Sequence, residues 1–334
     1  MSLLPWGSPP PSRTNTYSPA DYVVAPRGSG HKADYYTDGV NDQVEINAAI
    51  TAAAALPNGG TVELITGVYQ ISDRVIPLSN VWLRGWDMFT TVLQATSALT
   101  AGILDNKAEY NTGNPYVNGI ISDLELDGTN MDRTRQMKGF NSDSCNNCKF
   151  MRLYAHDTTA TGLGADDFYG STLTECIVID CGYMNVKTIT AATWSLNQIV
   201  FTSNGHGYSI NDVIIVTGMV PFPYNGRYVI SAVTTNTFTV TSTFLDIDPG
   251  TATTFGISSD SIIGHNGIGI ASGANTHEAN IVTNNICIGN QNNNFLIEAD
   301  TTFTDRNASY IFANNYSAYA CLLYTSPSPR DGLL

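Results

Sequence analysis

Residues 38–86 read DGVNDQVEINAAITAAAALPNGGTVELITGVYQISDRVIPLSNVWLRGW, and this stretch decides the fold. Asp42 with Glu45 three positions on is the pattern of a capping box, the reciprocal side-chain arrangement that opens helices. Val44, Ile46, Ala49, Ile50 and Ala53 then recur at helical spacing, which predicts an amphipathic helix over about 42–55. Pro57-Asn58-Gly59-Gly60 ends it, because Pro breaks the backbone ladder and Gly accepts left-handed geometry. The rhythm then changes to short β runs: TVELI, GVYQIS, RVIPL and NVWLRG. One helix ahead of many short strands predicts a lid. It covers the open end of a stack whose first coil would otherwise expose apolar side chains and unpaired strand edges.

The same residues resemble the pectate-lyase-like family of right-handed parallel β-helices. The resemblance is carried by Asp38-Gly39, Asn41-Asp42, the Ala-rich helix, Asn58-Gly59-Gly60-Thr61-Val62, Gly67-Val68-Tyr69 and Val81-Trp82-Leu83-Arg84-Gly85. Val40-Asn41-Asp42-Gln43 stands where members usually carry an acidic, Thr-rich segment. Many members are phage tail proteins or polysaccharide-degrading enzymes, so the resemblance implies a solenoid that meets a polysaccharide. It leaves the chemistry open, since one fold hosts many functions.

Composition sets the outer limits. With 334 residues, 15 Lys plus Arg, 29 Asp plus Glu and a formal net charge of −14, the chain has too few bases for nucleic acid or an anionic membrane as main partner. No apolar run approaches a membrane span. The opening MSLLPWGSPPPSRTNTYSP has neither a basic start nor a continuous apolar core, so it does not read as a signal peptide. Six cysteines include Cys145-x-x-Cys148, then Cys176 and Cys181. That spacing admits a zinc site, but small buried side chains stacked in successive coils are the expected reading, and no metal or disulfide is assigned.

In order along the chain, residues 1–20 read as a flexible arm and 21–186 as β-helix with its helical lid. Coils fall at 61–72, 74–86, 91–106, 117–131, 138–157 and 161–183. Aligning 81–85, 124–128, 151–155 and 177–181 stacks Leu83, Leu126, Leu153 and Ile179 in one inward column, with Val81, Leu124, Met151 and Ile177 in the other. Gly139-Phe140, Gly162-Leu163 and Gly267-Ile268 open a further column. Residues 187–258 break the rhythm with alternating strands and hairpin turns at Asn204-Gly205 and Asn225-Gly226, which is antiparallel logic. His206-Gly207-Tyr208, Asp212-Val213 and Tyr224-Asn225-Gly226 resemble a small β-barrel module of phage structural proteins, so an inserted barrel is expected here. The solenoid resumes over 259–320, with Asn-rich turns. Residues 321–331, CLLYTSPSPRD, resemble the in-frame translation of a transposase sequencing adapter. On that reading 321–334 are an artefact and the natural gene fragment stops near Ala320.

The alignment also nominates outward columns: Trp82, Glu125, Arg152 and Val178, and beside it Arg84, Asp127, Tyr154 and Asp180. Aromatic faces for sugar rings, acids for proton transfer and Arg for carboxylates are what a glycan site needs. Asp127 and Asp180, two coils apart, would be about 9 to 10 Å apart by strand spacing. That lies near the upper edge of the roughly 6.5–9.5 Å typical of inverting glycosidases. Glu125 and Asp127 would be about 6 to 7 Å apart. A second acid group is Asp143 with Asp166 and Asp167. Residues 161–168, TGLGADDF, resemble a recurrent element of tail-associated β-helices, and the double acid is similar to that of polygalacturonases. The rest of that signature is missing: there is no Asn-Thr-Asp and no Arg-Ile-Lys, and His265 sits only loosely in a Gly-His-Gly-like setting. His156-Asp157 would face opposite sides of a strand and share no site.

The sequence therefore predicts a right-handed parallel β-helix with a helical lid and an inserted antiparallel module. The resemblance implies a tail-associated virion or extracellular protein, a homotrimer, that binds a surface polysaccharide and in the enzyme reading cleaves it. No cofactor is expected, with calcium entering only for a lyase. The alternative is a non-catalytic stalk or adhesin displaying the insert.

Overall fold

The computed structural model describes residues 20–107, 113, 115–195, 197–241, 250–262, 265–272, 279–299 and 309–318. The N-terminal arm expected before residue 20 and the tail expected at 321–334 lie outside the described residues.

The helix forms at Gln43–Ala54 and buries Ile46, Ala49, Ile50 and Ala53. Two details differ from the expected lid. Asp42 makes no capping bond to the helix; its carboxylate accepts instead from the backbone N–H of Gly39 (2.8 Å) and of Gln70 (2.7 Å), tying the helix start to a strand of the first coil. Val44 is exposed, and Gln43 takes the inward place, donating to Ser72 Oγ.

After Gly60 the chain winds. Thr61–Leu64 pairs in parallel with Trp82–Gly85, which pairs with the first half of Ile120–Asp127, and this with Lys149–His156. Phe140–Ser142 lies between Leu104–Asp105 and Leu163–Ala165, on a separate five-stranded parallel sheet. Parallel neighbours, with no antiparallel partner among the described residues of the coils, make this a parallel β-helix. Gly85 shows how close the coils stack: a Cβ there would sit 2.0 Å from the Asp123 carbonyl oxygen.

The corners between sheets are single residues in the left-handed region. Asp123 (φ 61), Arg152 (φ 50), Glu175 (φ 57), Asn284 (φ 59) and Asn314 (φ 56) occupy one such corner in successive coils. Asp157 (φ 54), Asp180 (φ 52) and Gly289 (φ 66) occupy another. Asn, Asp and Gly tolerate this backbone best, which is why they punctuate the sequence.

The core is one contiguous aliphatic and aromatic ladder. Leu83 stacks on Ile121 and then Phe150, while Leu126 stacks on Ala155 and then Val178. Leu83, Leu126, Leu153 and Ile179 thus do not share a column, which corrects the expected register. Strands 124–128 and 151–155 pair two residues off the expected alignment, with Leu124 opposite Leu153. The next strand is displaced by an odd number, which reverses its faces. Val178 points inward at 0% exposure, and Ile177 and Ile179 face out. The third expected column is as anticipated, with Phe140, Leu163 and Ile268 in line.

Between two coils the chain departs. Inter-coil hydrogen bonds join Cys148 to Ser171, 23 residues on, but Cys176 to Asn285, 109 residues on. Over this interval Met184 to Asp260 contribute a seven-stranded antiparallel sheet with its own core of Ile199, Phe201, Ile214, Tyr228, Phe238 and their neighbours. His206 is buried there, with Nε2 on the carbonyls of Thr234 and Thr237. The helix resumes with Ile268–Ser272 pairing onto Leu163–Ala165.

Candidate functional site

Ile120–Asp127 runs through a left-handed corner at Asp123, so Glu125 and Asp127 lie on the strand beyond it, facing outward in alternation with inward Leu124 and Leu126. The next coil sets Tyr154 opposite Glu125 and His156 opposite Asp127. The preceding coil sets Gln94 opposite Asp127. These register positions, rather than sequence spacing, assemble the site.

His156 is its hinge. Nε2–H donates to Glu125 Oε1 at 3.1 Å and lies 3.9 Å from Asp127 Oδ1, and Nδ1–H donates to Asp157 Oδ2 at 2.9 Å. Asp157 shares the site although it follows His156 directly. The left-handed backbone at Asp157 swings its side chain back, overturning the expected opposition. One donor atom each from Glu125, Asp127 and His156 lies within 4.8 Å of the others, so the two acids are closer than the expected separation.

Burial alone would lower the His156 pKa. The hydrogen bonds to Asp157 and Glu125 outweigh it and raise the value to about 9, so the ring is an imidazolium at neutral pH. Burial would raise Asp127, but hydrogen bonds from Gln94 Nε2 (2.7 Å) and Thr129 hold it below the ordinary carboxylate value. Asp180, the equivalent of Asp157 in the next coil, is a solvent-exposed residue whose carboxyl is raised by partial desolvation and by Asp157, with His156 pulling it back.

Tyr154 completes the wall. Its ring stacks on His156 at 4.6 Å, and exposed Phe89 packs against it at 5.6 Å. Phe89 reaches two coils because residues 86–90 form a loop where the later coils turn with a single residue. Burial, and then the Glu125 charge, raise the Tyr154 phenol, so it stays protonated.

The other candidates stand elsewhere. Trp82 donates Nε1–H to Ser122 Oγ (3.0 Å) and packs under Arg84, whose guanidinium lies 4.9 Å from the ring centroid and pairs with Glu63 at 2.8 Å. Arg152 is clamped by Asp123 (2.5 and 2.9 Å) and reaches Glu175 at 3.5 Å. These arginines serve carboxylates of the protein, and neither outward column exists as aligned. Asp143 and Asp166 occupy equivalent positions in adjacent coils, following the pair Ser142 and Ala165, on the five-stranded sheet; Asp143 pairs with Lys107 at 3.1 Å. Asp167 is a left-handed turn residue, φ 45. None of the three joins the His156 group.

Sequence reasoning set His156 aside and missed Gln94 and Phe89. The signal was present: once 94, 127 and 156 are placed in one column, polar residues recur where a stack favours like neighbours.

Two inorganic readings can be weighed on these donors. For calcium, which takes six to eight oxygens, the group supplies two carboxylates and a ring nitrogen that holds a proton, a poor fit. The five described cysteines are buried free thiols; burial pushes Cys176 and Cys181 up to about 12. They do not gather as a metal-ligand group among the described residues. Nor, among the described residues, is any helix long and apolar enough to cross a membrane.

Comparison with known proteins adds a family. Residues 30–220 match the family described as rhamnogalacturonase A/epimerase, pectate lyase-like. No curated protein sequence matches significantly. Among solved structures, the Azotobacter vinelandii mannuronan C-5 epimerase AlgE6 A-module is 17% identical, over 84% of this chain and 53% of that one, with TM-score 0.42. ORF18 of Geobacillus virus E2 is 14% identical over 93% of this chain and 44% of its own length, TM-score 0.48. The A. vinelandii AlgE4 A-module is 13% identical over 85% and 93%, TM-score 0.31. The chain spans about half the length of the first two.

Proposed function

The chain belongs to the rhamnogalacturonase A/epimerase, pectate lyase-like family, and from that premise we propose that it binds a polysaccharide and hydrolyses it at the Glu125–Asp127–His156 face. The observation that carries this reading is the opposite displacement of two aspartates around one imidazolium. Asp127 is held ionised and Asp180 is pushed toward its acid form. Surroundings that drive two carboxyls apart supply the acid and the base that glycoside cleavage needs.

In this scheme the Asp127 carboxylate takes the proton of the attacking water, and Asp180 protonates the departing glycosidic oxygen. Asp180 lies two coils from Asp127 and one residue past its register partner Ile179, so strand spacing sets them about 10 Å apart, the upper end of the separation that suits inversion. Glu125 and Asp127 are too close together to flank a sugar ring with water between. Glu125 instead shares His156, which holds the site's negative charge in place. Tyr154 and Phe89 offer aromatic faces to the ring.

The charge balance favours a neutral stretch of glycan. Among the described residues, the cations paired with the site's acids are His156 and Arg133, and Arg133 Nη2 already lies 3.9 Å from Asp157. Glu125, Asp127, Asp157 and Asp180 are the anions. A uronate would meet net negative charge there, with no free arginine among the described residues of the site to receive it.

The decisive experiment is reducing-end release from a panel of bacterial capsules and pectins, with Asp127→Asn as the dead variant and Asp166→Asn as a control off the site. Release with inverted anomeric configuration, lost in Asp127→Asn and kept in Asp166→Asn, is expected. An unsaturated uronate product would sink hydrolysis in favour of a lyase. The setting we propose, a phage tail or other extracellular assembly of three chains, rests on the resemblance of residues 38–86; mass by light scattering tests the trimer. The stalk reading draws support from the Arg84–Glu63 and Arg152–Asp123 pairs, and absence of any release or binding would favour it.

A further inference from the structure

One arginine ties the antiparallel interruption to the His156 group. It sits in the loop of residues 128–137, whose two ends are fastened to the next coil. At the start, Gly128 donates its N–H to the His156 carbonyl (2.9 Å), and a Cβ on it would stand 2.6 Å from the Asp157 carbonyl oxygen. At the end, buried Met137 donates its N–H to Thr159 Oγ1 at 2.9 Å. Between these anchors Arg133 is gripped by the first residues of the interruption. Its carbonyl accepts from the Asn185 N–H (3.0 Å), and its Nη1 donates to the Tyr183 carbonyl (3.2 Å). Its Nη2 lies 3.9 Å from Asp157 Oδ1, while Asp157 Oδ2 accepts from His156 Nδ1 at 2.9 Å.

Tyr183 and Asn185 bracket Met184, which opens the antiparallel sheet and pairs with Asp260, the end of its returning strand. Asn185 is left-handed (φ 48) and donates Nδ2–H to Asp260 Oδ2 at 2.5 Å. Entry and exit of the interruption thus form one clasp, and the clasp fixes where Arg133 stands. The Arg133–Asp157 pair is long and partly exposed, so it adds little to stability. Its effect falls on His156 instead, because one carboxylate serves both cations.

We propose that Arg133 is a positioning residue through which the root of the antiparallel sheet sets the Asp157–His156 pair. The guanidinium fork makes this possible, one arm on the Tyr183 carbonyl and the other toward Asp157; an ammonium has no such fork. His156 is faced by Glu125 and Asp127 from the preceding coil, by Tyr154 and Asp157 from its own, and by Asp180 from the next. Arg133 adds a cation beyond Asp157. A cation sharing that carboxylate opposes the imidazolium, so moving it away raises the pH at which His156 gives up its proton. This coupling goes beyond the hydrolytic reading and does not rest on it.

The test is an NMR titration of the His156 ring in the full chain, its signal assigned by its loss in His156→Gln, with thermal melts to check folding. Arg133→Gln should raise the midpoint by about half a pH unit, the scale of a partly exposed ion pair. Arg133→Lys keeps the charge without the fork and should raise it about as far. Asn185→Gly keeps the left-handed backbone and leaves every charge in place, yet opens the clasp. It should move the midpoint in the same direction, about half as far. Asp260→Ala opens the clasp from the far side and should do the same, which covers a failure of Asn185→Gly to fold. An unmoved midpoint in Arg133→Gln overturns the proposal, whatever happens to Tm. Wild-type behaviour of Arg133→Lys reduces Arg133 to a local charge and also overturns it. So does a clasp variant that folds and titrates as wild type, since the sheet would then be uncoupled. No substrate enters the measurement, so each of these failures leaves the hydrolytic reading as it stood.

Discussion

Two charged ladders run side by side on this β-helix, and they differ in what holds their acids. At the corner, Asp123 and Glu175 flank Arg152, which donates two hydrogen bonds to Asp123. On the next sheet, Glu125 and Asp127 meet His156. The guanidinium is permanently charged and fork-shaped, so it closes the first ladder as a structural clamp. The imidazolium holds its proton only conditionally and leaves Asp127 to be held by Gln94. Acids tied to Arg brace a coil; acids tied to His and amides retain a reactive proton inventory. The comparison locates the site more sharply than counting carboxylates along the chain.

The largest break in that comparison should come from matched neutral substitutions. Asp127→Asn is expected to lower glycan cleavage about 10³-fold, within the range for a positioned acid or base, while Asp123→Asn stays within about threefold. Initial rates on one polysaccharide decide it, and equal losses would dissolve the contrast. Next, Asp180→Asn should cost about 10²-fold and remove the alkaline limb of the pH–rate profile. That limb should be displaced upward from the ordinary aspartate value because Asp180 is raised, and the acidic limb downward because Asp127 is lowered.

A smaller effect concerns His156, which faces Glu125, Asp127 and Asp157, with Arg133 beyond Asp157 and Asp180 nearby. Its folded value of about 9 exceeds the ordinary 6.5. The stabilisation is therefore complete below about 6.5 and is lost as pH rises through 9. Wild-type Tm should fall by a few degrees over that window, and His156→Gln should flatten the fall. Arg152→Ala, removing a half-exposed clamp, should lower stability by about 0.2–1 kcal/mol and leave activity within about twofold. At the bottom of the scale, chelator should leave the rate unchanged; a loss restored by a divalent ion would overturn the protonated His156.

The solenoid, the lid and the antiparallel interruption were legible because each leaves a period in the chain: 3.6 in residues 42–55, two in the strands, hairpin signals near Asn204 and Asn225. The candidate site was half legible. Glu125, Asp127, Tyr154 and Asp180 were nominated, yet as members of columns that do not exist. The alignment set 81–85, which leads into a corner, beside 124–128, which follows one, and ran 151–155 straight through the left-handed residue at Arg152. A similar residue at Asp157 turns a side chain that strict alternation would send away.

What the sequence alone determined is therefore the winding itself, since burial of alternating aliphatic residues is a local property that each coil carries in its own letters. Which residue lies over which belongs to the tertiary structure. Inter-coil register depends on where every corner turns, and a corner needs only one residue with positive φ. His156 reached Glu125 and Asp127 through that geometry, across a gap no spacing rule along the chain could measure.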